Sequence, residues 1–236
     1  MGSERVRARV FGEVAEEFER VRPGYPAALI ADVLAHAGGA GSRALEVGAG
    51  TGKATVAMAE HGLDITAVEP DRQMADVLAR RIEGRSNVTI QVCAFEDLEP
   101  DRSFGLLYSA QAWHWTDPAT RWQRAAAALA PGGTLALLWN NETLDGDEPD
   151  HEGDLKTEWP WPELVALPEF TDLSIQLYDW SRSMSTVDYL ANLSTHSAYR
   201  MMESGEREAA FAALADRLGD EVMLHVKTAL YLARRV

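Results

Sequence analysis

Between residues 43 and 139, short apolar runs alternate with helix-forming runs, and this alternation restricts the fold of the 236-residue chain more than any other feature. Residues 43–47, 64–68, 87–93, 104–109 and 134–139 read as strands. Residues 52–60, 72–82 and 118–130 read as helices, the second capped by Asp71, and "PGG" at 131–133 reads as a turn. Strands separated by helices pair in parallel through right-handed crossovers, so helices must cover both faces of the sheet. The strands are short and apolar, as a sheet buried on both sides requires.

The flanks add elements of other kinds. Val6, Val10, Val14 and Phe18 recur at helical spacing and predict an amphipathic helix over 6–20, which "RPGYP" at 22–26 ends. A second helix starts at Pro26, buries Leu29, Ile30, Val33, Leu34 and Ala37, and stops at Gly38-Gly39. From 140 to 169 the periodicity fails in an acidic, proline-punctuated stretch, read as a loop, lid or cap. Residues 173–180 and 221–233 read as strands, and 185–193 and 203–218 as helices, with Ser185 and Asp188 spaced as a capping box. No repeat or linker divides the chain. The expectation is one domain over 1–236, with an N-terminal helical cap at 1–40 and an irregular insert at 141–170 covering an acceptor site.

Composition excludes several classes. Thirty-seven acidic against 22 basic residues give a net charge of −15, which disfavours nucleic acid and anionic membrane surfaces as partners. The single cysteine, Cys93, can form no internal disulfide and suits a reducing cytosol. No signal-peptide core or membrane-length apolar run stands out, so the expectation is a cytoplasmic protein, monomeric or homodimeric. The six histidines show no metal-ligand spacing, so no metal is expected. No serine nucleophile elbow occurs.

The alternation carries one chemical motif, "LEVGAGTGKATVAMAEHGLDITAVEPD" at 45–71. Gly48, Gly50 and Gly52 follow a strand and open a helix, where backbone can hug a ligand and free N–H groups point at it. Glu69 ends the next strand, about 20 residues after the first glycine, where a carboxylate accepts hydrogen bonds from ribose hydroxyls. A glycine turn without a ligand is the bland alternative, and the downstream acid argues against it. The register is G-x-G-x-G, not the G-x-G-x-x-G of dinucleotide folds.

With Glu46 two residues ahead of the first glycine, this segment resembles the first motif of class I S-adenosylmethionine-dependent methyltransferases. "CAFEDLE" at 93–99, "SAQAWHWTDPATRW" at 109–122 and "LAPGGTLALLWN" at 129–140 are similar to a type 11 subgroup that includes trans-aconitate methyltransferase-like proteins, as are "RPGYP" and "THSAYR" at 195–200. The resemblance spans from about residue 11 to the C-terminus. It implies a Rossmann-like, doubly wound, seven-stranded and mostly parallel α/β sheet with an antiparallel C-terminal strand. It also implies S-adenosylmethionine as cofactor, S-adenosylhomocysteine as product, and a small-molecule acceptor, carboxylates and secondary metabolites included, methylated on O, N or C. The cofactor residues it implies are Glu46, Gly48, Ala49, Gly50, Gly52, Glu69, Pro70, Met74, Ala94, Phe95, Glu96, Ser109, Gln111 and Tyr25. Two departures from the pattern are Gly105 for an Asp in the fourth strand and Phe18 for a Tyr in the first helix. A tyrosine contact to the methionine end is then absent or supplied by Tyr25.

Methyl transfer needs alignment of nucleophile and methyl at ~3 Å more than it needs acid or base. All seven tryptophans fall between 113 and 180. Trp113, Trp115, Trp139, Trp159 and Trp161 are candidate walls of an acceptor pocket, with core packing the alternative, above all for Trp139 and for the helical Trp122. His114 is a candidate general base or a loop-fixing histidine. His196 is a second candidate, and Arg22 and Arg200 could anchor an acidic acceptor or simply be solvated. A cofactor-binding module without methyl transfer and a nicotinamide-dependent oxidoreductase are the competing readings.

Overall fold

The computed structural model describes residues 12–38, 41–99, 103–145 and 160–236. Among them a seven-stranded sheet runs in the order β3-β2-β1-β4-β5-β7-β6. The strands are β1 (Arg43–Val47), β2 (Asp64–Val68), β3 (Val88–Gln91), β4 (Phe104–Ala110), β5 (Leu129–Leu144), β6 (Phe170–Ser185) and β7 (Glu221–Arg235). The first five pair in parallel, and β7 runs antiparallel between β5 and β6. This is the mostly parallel α/β sheet with an antiparallel last strand that the alternation and the resemblance implied.

The helices are α1 (Ala15–Val21), α2 (Ala27–Ala37), α3 (Lys53–Ala59), α4 (Arg72–Arg81), α5 (Arg121–Ala128), α6 (Trp161–Val165), α7 (Thr186–Ser194), α8 (Ser197–Arg200) and α9 (Ser204–Arg217). Alternate strand residues feed two cores. Ala44, Leu106, Tyr108 and Leu138 pack with α2 and α3 residues such as Leu29, Val33 and Met58. Leu45, Leu107, Leu135 and Leu137 pack on the other face with Trp122 and Ala125 of α5. Period-two side chains on a two-sided sheet produce this division.

Several boundaries differ from the sequence reading. Val6 and Val10 lie outside the described residues, and the first helix begins at Ala15 after a short 3-10 turn at Gly12–Val14. Phe18 packs against Ala15, Met74 and Val77. "PGG" does not separate α5 from a strand but bulges within β5: Phe104 pairs with Leu129, then Leu106 pairs with Thr134. A larger correction concerns the insert. Residues 141–144 are not irregular; they extend β5 and pair with residues 224–227 of β7. Strand pairing runs through backbone groups, so a polar run such as "NNETL" can form a strand that periodicity does not show. Residues 146–159, the middle of the acidic insert, lie outside the described residues. β6 is likewise longer than read, covering 170–185 instead of 173–180. Asp71 caps α4 as expected, accepting from Gln73 N (2.8 Å) and Met74 N (3.1 Å). Ser185 caps α7 by accepting from Asp188 N at 3.1 Å.

Candidate functional site

Chain order and spatial order part at β1. The chain steps outward through β2 and β3, then returns to β4 on the other side of β1. Such switch points leave a crevice at the carboxyl ends of the strands. Here the crevice lies among the turn after β1, the end of β2 and the end of β4.

Gly48, Gly50 and Gly52 all adopt positive φ (71°, 57° and 90°). Close approach makes glycine obligatory at two of them. A Cβ on Gly48 would sit 2.3 Å from Ala112 Cβ, and one on Gly52 2.4 Å from Leu78 Cδ1. The loop is hung on β2, because Gly48 N and Ala49 N both donate to Val68 O, at 2.9 and 3.0 Å. Glu69, 7% exposed, closes the arrangement: its Oε2 accepts from Gly50 N (2.7 Å) and its Oε1 from Asp71 N (2.8 Å). Each carboxylate oxygen keeps a lone pair for a ligand hydroxyl. Burial raises the Glu69 pKa to about 7, against the pull of those two N–H donors.

Glu46 lies beneath the loop, 1% exposed. Thr55 Oγ1 (2.5 Å) and Tyr108 OH (2.9 Å) both donate to its Oε2. Desolvation raises its pKa to about 8 despite those bonds, and the nearby Glu69 charge adds to the rise. Tyr25 is close enough for Glu46 to raise its pKa further, though burial contributes most. The "RPGYP" loop that carries Tyr25 is tied to the sheet, since Asn140 Nδ2 donates to Gly24 O at 3.0 Å. Asn140 O accepts from Gln111 Nε2 at 2.7 Å. Gln111 adopts φ 60°, a costly conformation for a residue with a side chain, at the carboxyl end of β4. Ser109 Oγ, just before it, donates to Val47 O at 2.8 Å.

These residues form one site: Glu46, the three glycines, Ala49, Glu69, Gln111 and Tyr25. Met74 borders it, its methyl 3.8 Å from a Cβ placed on Gly50. Pro70 is exposed beside Glu69, and Ala94 is half-buried in the turn after β3. Phe95 does not face the crevice as expected. It is buried in the core with its ring 5.8 Å from Trp113, because the turn at Phe95–Asp97 directs it inward. Glu96 accepts from Asp117 N at 2.6 Å and so braces the loop after β4.

The acceptor-side expectations divide. Trp113 is 1% exposed and packs 5.3 Å from Trp122, so it belongs to the core and not to a pocket wall. The helical turn at Trp113–Trp115 turns that indole inward and leaves the next two side chains outside. His114 stacks with Trp115 (4.4 Å) and Trp139 (4.8 Å), beside the Ala112 that abuts Gly48. The residue as a whole is exposed, yet burial of its ring among its neighbours desolvates it. That and the Arg121 charge lower its pKa to about 4, which makes it a hydrogen-bonding group and a weak base. Trp159 lies outside the described residues. Trp161 begins α6, whose Glu163 accepts from Arg121 Nη2 and Trp122 Nε1, both at 2.7 Å.

Arg22 and His196 come together on the other side of the crevice. Arg22 Nε donates to Thr195 Oγ1 at 2.7 Å, and its guanidinium lies 5.2 Å from the Phe18 ring centre. No carboxylate of the described residues reaches ion-pair distance of it, and burial lowers its pKa to about 10, still a cation at neutral pH. Desolvation and the charges of Arg22 and Arg182 push His196 down to about 3. Arg200, by contrast, is paired with Glu13. Sequence reasoning missed Arg182, Glu142 and Asn192. Glu142 accepts from Arg182 Nε at 2.6 Å and Asn192 Nδ2 at 3.0 Å, a junction hidden because Glu142 sits in the stretch read as irregular. Among the described residues no cluster of three His, Cys, Asp or Glu could hold a metal, and no helix is long and apolar enough to cross a membrane.

The comparisons agree with this geometry. A family model described as a methyltransferase domain matches residues 45–137, from within β1 to the middle of β5. An uncharacterized methyltransferase of Mycobacterium tuberculosis is 38% identical over 183 residues, covering 74% of this chain and 71% of its own. The tRNA 5-carboxymethoxyuridine methyltransferase of Escherichia coli is 30% identical over 149 residues, covering 56% of this chain and 57% of its own. A solved structure of a candidate type II methyltransferase from Anaeromyxobacter dehalogenans superposes with TM-score 0.63 at 25% identity, covering 90% of this chain and 97% of that one. With its glycine loop, buried acids and seven-stranded sheet, the chain belongs to the class I S-adenosylmethionine-dependent methyltransferases, in their type 11 subgroup.

Proposed function

We propose that the chain methylates a small-molecule acceptor that bears a carboxylate or similar acid, and that Arg22 holds this acid. The observation that carries the reading is Arg22 itself: a largely desolvated cation near Tyr25, without a carboxylate at ion-pair distance among the described residues. A buried charge is costly unless paired, so a site of this kind favours an anionic ligand. The net charge of −15 argues against a tRNA acceptor, although the Escherichia coli relative is named for one. That relative's name also specifies a carboxymethoxy group, an acid.

The crevice residues fit the cofactor. Two glycines have no room for a Cβ, Glu69 keeps free lone pairs, and Glu46 offers a buried carboxylate. When bound, S-adenosylmethionine supplies a methyl carbon activated by a sulfonium, and its leaving thioether needs no proton. The chain's own work is then positional. Glu69 orients the ribose, and the glycine backbone and Tyr25 enclose the methionine end. Trp115 and Trp139 exclude water beside His114, which donates or accepts a hydrogen bond in its neutral form. In this reading the domain acts as one unit in the cytoplasm, as a monomer or homodimer, with the helices of 12–38 covering the acceptor side.

Methyl-labelled S-adenosylmethionine incubated with the protein and a fractionated small-molecule extract tests this. Label should enter an acidic metabolite, and Arg22→Gln should raise the acceptor KM while leaving S-adenosylhomocysteine affinity within about twofold. Label confined to the RNA fraction, or to neutral products made equally well by Arg22→Gln, would refute it.

A further inference from the structure

Glu19, on α1, lies outside the glycine motif yet holds it. Its Oε2 accepts from Thr51 Oγ1 at 2.6 Å. Its Oε1 lies 3.3 Å from Lys53 Nζ and 3.1 Å from Arg81 Nε. Lys53 also donates to Glu19 O, and Arg81 Nη1 donates to Thr51 O at 3.2 Å. Thr51, the residue between Gly50 and Gly52, is therefore fixed at its hydroxyl by Glu19 and at its carbonyl by a cation that Glu19 also binds. The group is compact and shielded: the side chains of Glu19, Lys53 and Arg81 are only 21%, 20% and 28% exposed. Charge-assisted bonds in such partly dry surroundings are stronger than on open surface.

The same short helix is bound at its other side to the acceptor-side cap. Arg20 pairs with Asp188, Glu17 Oε2 lies 3.3 Å from Ser194 Oγ, and Val21 O accepts from Arg182 Nη1 at 2.7 Å. Arg22, one residue past the helix, reaches Thr195. One seven-residue element thus has the cofactor loop on one side and α7 on the other.

We propose that Glu19 is a positioning residue for the cofactor site, and that through α1 it couples the order of the glycine loop to that of α7. Its role is to set the loop geometry that the cofactor meets. The inference rests on the glycine loop being the cofactor cradle, and its tests use S-adenosylhomocysteine alone, so a wrong acceptor assignment leaves it standing.

The full chain is titrated calorimetrically with S-adenosylhomocysteine as wild type, Glu19→Gln, Glu19→Ala, Thr51→Val and Glu19→Ala/Thr51→Val. Glu19→Ala should weaken binding about tenfold, a typical coupling between sites. Glu19→Gln, which keeps an acceptor for Thr51 but loses the charge, should fall between. The double variant should bind no more weakly than Glu19→Ala, because both changes break one interaction. Amide exchange gives the readout that a merely structural residue would not move: S-adenosylhomocysteine should protect residues 186–196 in wild type and not in Glu19→Ala. If Glu19→Ala does not fold, Thr51→Val, which leaves the ion pairs in place, should still weaken binding by several-fold. Unchanged affinity in the folded variants, strictly additive losses, or equal protection of 186–196 in wild type and Glu19→Ala would each overturn the proposal.

Discussion

Replacing Glu46 by glutamine should stabilise the ligand-free protein above about pH 4.5, and increasingly so as the pH rises to about 8. The reasoning starts from two buried carboxyl groups, Glu46 at 1% and Glu69 at 7% exposure, whose pKa values rise to about 8 and about 7 from an ordinary 4.5. A raised folded-state pKa means that the folded protein binds the proton more tightly than the unfolded chain. The resulting stability is complete below about pH 4.5 and is lost as pH rises through 7 and 8. For Glu46, at about 1.4 kcal/mol per pH unit, the loss between pH 6 and pH 9 is about 3 kcal/mol. Glu69, nearer its midpoint at pH 6, adds about 1 kcal/mol. Glutamine at 46 still accepts from Thr55 and Tyr108 but never ionises. Glu46→Gln should therefore already be about 2 kcal/mol more stable than wild type at pH 6, where the unfolded wild-type carboxyl is ionised, and its melting-temperature advantage should widen by about a further 5–10 °C by pH 9, given the usual scaling for a domain of this size. Thermal melts of both proteins across that range, without cofactor, measure the difference. Parallel pH slopes for the two proteins would refute the argument, because they would place Glu46 in an environment that tolerates its charge.

Glu69→Ala should weaken S-adenosylhomocysteine binding by roughly 1.5–3 kcal/mol, by removing charge-assisted bonds and orphaning the N–H groups of Gly50 and Asp71; unchanged calorimetric affinity would mean that another residue holds the ribose. Gly48→Ala should destabilise the fold by about 1–3 kcal/mol through overlap with Ala112, and Ala112→Gly should recover part of the loss in a double-variant melt; no recovery would point to the backbone angle alone. His114, neutral above about pH 5, should contribute no inflection to kcat/KM between pH 6 and 8, so the ratio of wild-type to His114→Gln activity should stay constant there; an inflection lost in the variant would make His114 a titrating base.

Local signals carried much of the architecture. The strand–helix alternation, the Asp71 cap and the glycine loop are properties of short stretches, and each appears where its spacing places it. Glu69 was legible for the same reason, as an acid at the end of the strand after the loop. Where the backbone alone decides, local reading failed: the polar end of β5 pairs with β7 through groups that every residue carries. The tryptophans show a second limit. Trp113 and Trp115 are two residues apart with the same chemistry, and one fills the core while the other borders His114. Which is which depends on a 3-10 turn and on Phe95 and Trp122, contributed from elsewhere in the chain.

The sequence by itself therefore determined the sheet's character, the glycine loop and the acid that closes it, because each is written in residues close together and constrained by one turn or one period. Only the tertiary structure decided the rest. Thr55 and Tyr108 meet on Glu46, 9 and 62 residues away. Glu19 meets Thr51 across 32 residues, and Arg22 reaches Thr195 across 173. Such contacts have no spacing of their own. They exist because α1 crosses from the loop to α7, and the desolvation that shifts Glu46, His114 and His196 is a property of the packing around them and not of the residues.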